Sequence, residues 1–258
     1  MCLIVFSYKQ HPTYDLIFAA NRDEAYARAT KAAHFWKDHP QILAGKDLKA
    51  GGTWMGVTRN GYLSALTNYR DLSVTKENPP SRGHLVLDYL IEESDPEKYM
   101  KSVSKRAHLY NGFNLLAGTT DKLMYYSNQL SKARQLSPGL YGLSNHLLNT
   151  PWPKVEQARM DLQHAINREQ ITEEELFEIL KNDTQAPDDA LPDTGLPLEL
   201  ERAVSSVFIK TRDYGTRGST VLLIDKDGHV TFTERRYGPE GTDREETARF
   251  EFDIENKA

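Results

Sequence analysis

The chain has 258 residues, 39% hydrophobic and 10% aromatic, enough apolar side chain to bury a globular core as one domain over 1–258. With 32 basic against 37 acidic side chains and no strongly basic stretch, it lacks the charge row that neutralises nucleic-acid phosphates. Cys2 is the lone cysteine, so no internal disulfide forms, and the opening residues have neither the positive flank nor the length of a signal peptide or membrane span. A reducing, cytoplasmic address is the expectation.

Residues 2–8 and 14–20 are apolar, β-branched and aromatic runs separated by Gln10-His11-Pro12-Thr13, which reads as a hairpin. Gly51-Gly52 leads into a strand at Thr53 to Val57. Arg59-Asn60-Gly61 then turns the chain into a second strand toward Tyr69. Leu85, Val86, Tyr89 and Leu90 recur at helical spacing, and Asp95-Pro96-Glu97 supplies an N-cap with proline at the first helical position, so helices are expected over 83–94 and 96–107. Phe113 to Ala117 and Leu123 to Ser127 read as two more strands.

Val155, Ala158, Leu162, Ala165 and Ile166 fall on one helical face after Pro153, and Thr172-x-x-Glu175 is a capping box before a further helix. Residues 182–199 have no period and read as a long surface loop. The chain closes with expected strands at 206–209, 220–224 and 230–234, and Phe250 and Phe252 alternate like a short edge strand. Strands joined mostly by hairpins, with helices in separate blocks, predict an antiparallel α+β fold. Two sheets face to face with helices on the outer faces fit that order.

Cys2 is also the first candidate for chemistry. Removal of Met1 would put a thiol and an α-amine on one residue, and an α-amine with a pKa of roughly 7.7–8.0 can take the thiol proton near neutrality. The alternative is an inert, buried strand cysteine. Asn21-Arg22-Asp23-Glu24 follows the second strand of the opening hairpin, which returns the chain toward Cys2. Asp23 is then placed to accept from the α-amine or orient the thiol, and Arg22 to lower the thiol pKa; a solvated charged turn is the competing reading.

Asn68 and Asn145 stand at strand ends, as oxyanion donors or as turn caps, and Arg217 follows a glycine-bounded turn, as a carboxylate ligand or brace or as a surface side chain. Trp54 and Tyr69, which flank the second hairpin, and Arg22 are candidate substrate contacts. The eight histidines show no metal-ligand spacing, no Gly-x-Ser-x-Gly elbow is present, and Gly51-Gly52 lacks the Lys-Ser/Thr of a phosphate loop. No cofactor or metal is called for.

The ordered blocks Met1-Cys2-Leu3-Ile4, Asn21-Arg22-Asp23-Glu24, Gly51-Gly52-Thr53-Trp54, Thr67-Asn68-Tyr69-Arg70-Asp71, Ser81-Arg82-Gly83, Tyr110-Asn111-Gly112-Phe113-Asn114, Gly142-Leu143-Ser144-Asn145, Pro151-Trp152-Pro153 and Tyr214-Gly215-Thr216-Arg217 resemble the NRDE, or transport and Golgi organisation 2-like, family over nearly the whole chain. More distantly, the start resembles the N-terminal nucleophile hydrolases of the bile salt hydrolase and penicillin V acylase group. That resemblance implies a four-layer αββα sandwich and an amidase-type reaction. Within it, Cys2 would be the nucleophile, Asp23 its positioning residue, Asn68 would fall at an oxyanion-hole position, Asn145 at a second polar site and Arg217 at a supporting arginine. One departure stands out: those acylases carry an arginine three residues before the aspartate, where this chain has Ala20. The function implied is hydrolysis of an amide or thioester through a thioacyl intermediate on a small-molecule substrate. The alternative implied is a non-enzymatic carrier of a hydrophobic ligand, lipid or haem, in the same cleft.

Overall fold

The structure, a computed structural model, describes residues 2–71, 76–168, 170–239 and 244–255; the side chains of 244–246 are outside the description, as is Met1, on whose removal the nucleophile reading depends. Contacts divide the chain into two units, residues 1–27 with 138–251 and residues 28–137 with 252–258.

In the first unit, strands β1 (Cys2–Tyr8), β2 (Tyr14–Ala25), β10 (Gly139–Leu143), β11 (Tyr214–Asp225), β12 (His229–Tyr237) and β13 (Arg244–Asp253) form one sheet in the order β10-β1-β2-β11-β12-β13. Pairing is antiparallel from β10 through β12. β1 is wholly buried. Since side chains alternate, Leu3, Val5, Ile17, Ala19, Val221 and Leu223 share one face. There they pack on Val155, Ala158 and Leu162 of α3 (Pro153–Ile166) and on Leu176, Phe177 and Leu180 of α4 (Glu173–Leu180). On the opposite face Phe6 stacks between Phe18 and Tyr141, at 5.8 and 5.0 Å. α4 starts on the expected capping box, with Thr172 accepting from the Glu175 N–H and the Glu175 carboxylate accepting from the Thr172 N–H.

In the second unit β3 (Thr30–Phe35), β4 (Ile42–Asp47), β5 (Met55–Thr58), β6 (Leu63–Asn68), β7 (Phe113–Gly118), β8 (Leu123–Ser127) and β9 (Lys132–Gln135) pair in sequence order as an antiparallel meander. Helices α1 (Gly83–Glu92) and α2 (Pro96–Arg106) bury Leu85, Tyr89, Leu90, Tyr99 and Val103 against Ile42, Leu66, Leu115 and Met124 of this sheet. The Asp95 carboxylate accepts from the Lys98 N–H, so the cap expected at α2 forms.

Three expectations need correcting. Ser206–Ile209 is buried but not a strand: Ile209 exchanges bonds with Thr216, and only Lys210 bridges Gly215. A short apolar run does not distinguish a strand from a packed loop, and here burial alone explains it. Residues 182–199 are not a plain loop, since a 3-10 turn forms at Asp188–Ala190 and α5 (Leu198–Ala203) begins before the segment ends. Strands β3, β4, β9 and β10, absent from the sequence reading, are short and partly exposed, so their apolar alternation is weak.

Candidate active site

Cys2 lies at the head of β1 and pairs with Arg22 on β2. Directly paired residues share a face, so the thiol and the Arg22 guanidinium lie on the side of the sheet away from α3 and α4. Asp23 is one residue on and points the other way, onto the helix-covered face. Its partners confirm this: it pairs with Thr216 of β11, whose hydroxyl donates to Asp23 Oδ1 at 2.7 Å. The parity separates two roles that the sequence left open. Arg22 shares the thiol's face, whereas the Asp23 carboxylate lies on the other side of the strand, though its charge still reaches the sulfur.

A β-bulge sets this register. β11 and β2 pair Gly218 with Arg22, then skip Arg217 and pair Thr216 with Asp23. The extra residue brings a hydroxyl rather than a guanidinium opposite the carboxylate. Arg217 is turned instead to the chain beyond β2, where its Nη1 donates to the carbonyls of Ala25 at 3.2 Å and Tyr26 at 2.7 Å. It braces the segment that follows Asp23. Gly215 completes the corner, since a Cβ there would lie 2.1 Å from the Tyr26 hydroxyl and 2.6 Å from the Ile209 carbonyl. The Tyr214 hydroxyl donates to the Asp23 carbonyl at 2.8 Å.

On the other side of β1, Ser144 donates to the Cys2 carbonyl at 3.0 Å and to Asn145 Oδ1 at 3.3 Å. Asn145 is fully buried, two residues past the last pair of β10 with β1, Leu143 with Ile4. The first unit thus gathers Cys2, Arg22, Asp23, Asn145 and Arg217 around one end of its sheet. Trp54, Asn68 and Tyr69 belong to the second unit. Trp54 precedes β5 and accepts from the Leu66 N–H at 2.9 Å; Asn68 ends β6 opposite Phe113; Tyr69 donates its N–H to the Gly112 carbonyl at 2.9 Å.

Asn21 has a structural task. Its Nδ2 donates to the carbonyls of Leu180 at 2.8 Å and Val207 at 2.9 Å, and Ser219 donates to its Oδ1 at 2.6 Å. It fastens the end of α4 and the 206–209 segment to β2. Sequence reasoning missed Thr216, Tyr214 and Lys154. Lys154 was legible in principle as a charged residue one turn before Ala158 on the apolar stripe of α3.

Burial pushes the Cys2 thiol above the ordinary thiol range, and the nearby Asp23 charge adds to this, while the Arg22 charge and the Asp23 N–H oppose it. Burial likewise pushes the Asp23 carboxyl up, against the Lys154 charge first, then the Thr216 hydrogen bond and Arg22. Arg22 is itself paired with Glu24 at 3.6 Å. Among the described residues no cluster of three or more His, Cys, Asp or Glu is placed to hold a metal ion, and no helix is long and apolar enough to cross a membrane.

The two antiparallel sheets with their few helices have an α+β fold of the N-terminal nucleophile hydrolase type. The chain superposes on a C2A mutant of the conjugated bile acid hydrolase from Clostridium perfringens with a TM-score of 0.56, at 10% identity, over 98% of this chain and 92% of that one. Sequence comparison is more specific. The Transport and Golgi organisation 2 family matches residues 1–239. The Transport and Golgi organization 2 homolog of Mus musculus is 38% identical, and the Transport and Golgi organization protein 2 homolog of Homo sapiens 39% identical, each over 99% of this chain and 100% of the relative. The chain belongs to the Transport and Golgi organisation 2 family.

Proposed function

We propose that the protein is an N-terminal-cysteine hydrolase that cleaves an amide carbon–nitrogen bond, or a thioester, of a small-molecule substrate in the cytoplasm. One observation carries this reading. The only thiol of the chain heads β1, a buried strand between β10 and β2, with the Arg22 cation on its own face and the buried Asp23 carboxylate, held by Thr216, one residue further along β2.

Once Met1 is removed, the α-amine of Cys2 accepts the thiol proton and the thiolate forms a bond to the carbonyl carbon. The developing oxyanion is met by amide donors, for which Asn145 is a candidate, linked to the Cys2 carbonyl through Ser144. The ammonium proton passes to the leaving nitrogen as the carbon–nitrogen bond breaks, leaving a thioester on Cys2. Water then attacks that thioester, releases the carboxylic acid and restores the thiol. The raised thiol pKa supports the need for an adjacent base, because the buried sulfur does not ionise readily by itself. The oxyanion role carried over to Asn68, and the substrate contacts of Trp54 and Tyr69, rest on the resemblance, and Asn68→Ala tests the first directly.

Mass spectrometry of the purified protein decides the mechanism. Loss of Met1, together with an acyl adduct on Cys2 that disappears in Cys2→Ala, is the expected result; turnover by protein that retains Met1 overturns it. A second reading, a carrier of a hydrophobic ligand such as lipid or haem, is supported by the relatives' names, which speak of transport and no reaction. Saturable haem binding by absorbance titration, unchanged in Cys2→Ser, would favour it.

A further inference from the structure

Lys154 is the one charged group among the buried residues of α3, whose stripe is otherwise Val155, Ala158, Leu162, Ala165 and Ile166. Only 3% of its surface is exposed, and it stands in the first turn, where the helix dipole also disfavours a cation. Its Nζ donates to the Val204 carbonyl at 2.9 Å. A carbonyl satisfies a donor but does not neutralise a charge, so a buried ammonium calls for a carboxylate.

Among the described residues three carboxylates are buried: Asp23, Glu201 and Glu234. Glu234 pairs with Thr220, which pairs with Ala20, on the face away from α3. Glu201 accepts from both the N–H and the hydroxyl of Thr194. Asp23 lies on the face that α3 covers. We propose that Lys154 is the counter-charge of Asp23 and a positioning residue, keeping the carboxylate ionised and aimed at the α-ammonium that Cys2 carries after taking up the thiol proton. Of the charges acting on Asp23, that of Lys154 is the strongest influence holding the carboxyl down. The last step rests on the hydrolase reading; the proposed pairing of the two charges does not.

The test is a carboxyl carbon-13 NMR titration of aspartate-labelled protein, with the Asp23 signal assigned by its loss in Asp23→Asn. Lys154→Met is expected to raise the Asp23 midpoint by at least one pH unit, a tenfold gain in proton affinity. Lys154→Arg should restore it, and Glu201→Gln should leave it in place. An unmoved midpoint in Lys154→Met, or an equal shift in Glu201→Gln, overturns the proposal. If Lys154→Met fails to fold, the double variant with Asp23→Asn decides: recovered folding supports the pair, and no recovery overturns it. A shifted midpoint in a protein that forms no thioacyl adduct leaves the pair standing and removes the hydrolase reading; an adduct without the shift does the reverse.

Discussion

Thr216 stands between Asp23 and Ile209, giving its proton to Asp23 Oδ1 at 2.7 Å while accepting from the Ile209 N–H at 2.9 Å. One hydroxyl therefore ties a buried carboxylate to a loop that has no sheet pairing of its own. Thr216→Val keeps the shape and deletes both bonds. A stability loss of about 1.5–3 kcal/mol is expected, the range for hydrogen bonds to charged groups, and urea unfolding measures it. A loss under 0.5 kcal/mol would mean that Asp23 is neutral and loosely held.

Gly215→Ala is expected to destabilise more than an ordinary loop substitution. The new methyl would meet the Tyr26 hydroxyl and the Ile209 backbone, and backbone does not swing aside. About 1–3 kcal/mol of overpacking is expected, read as a lowered melting temperature. Tyr26→Phe in the same chain should recover part of it by removing the nearest atom.

Alkylation of Cys2 by iodoacetamide should rise with an inflection above the ordinary thiol value of about 8.5, because burial favours the neutral thiol. Arg22→Gln should move that inflection further up by removing a cation from the thiol's face. The raised pKa has a stability consequence of definite sign. The folded thiol keeps its proton to higher pH than the unfolded one, so stability falls as pH climbs past the unfolded thiol value, and Cys2→Ala should flatten that fall. An inflection below pH 8 would contradict the burial seen here.

Thr172→Ala removes the hydroxyl that caps α4 and should cost about 1 kcal/mol. The effect should remain in Cys2→Ala, since the cap lies apart from the thiol, and should appear in urea unfolding with unchanged slope.

The opening hairpin, α1 to α4 and the strand pairs from β5 to β8 were legible because their apolar positions follow clean periods and their turns and caps carry diagnostic residues. The 206–209 segment misled because its apolar residues are buried by loop packing. β10 was invisible because Gly139 to Leu143 holds its place by pairing with β1 rather than by propensity. At the site, the sequence pointed to Cys2 and Asp23 through their proximity in the opening hairpin. It gave no access to the division of Arg22 and Asp23 between two faces, which follows from pairing. Nor did it show the turn of Arg217 toward Ala25 and Tyr26, which follows from one extra residue in β11. Lys154 was hidden by the expectation that a lysine marks a solvated face.

The alternation along Asn21-Arg22-Asp23-Glu24 makes this tetrapeptide two interleaved sentences written on one strand. Its odd members bond to the helix end, the loop and Thr216 on the helix-covered face, while its even members pair with each other on the face of the thiol. A substitution at Arg22 or Glu24 can therefore alter what meets the thiol without loosening the frame, whereas a change at Asp23 disturbs frame and site together.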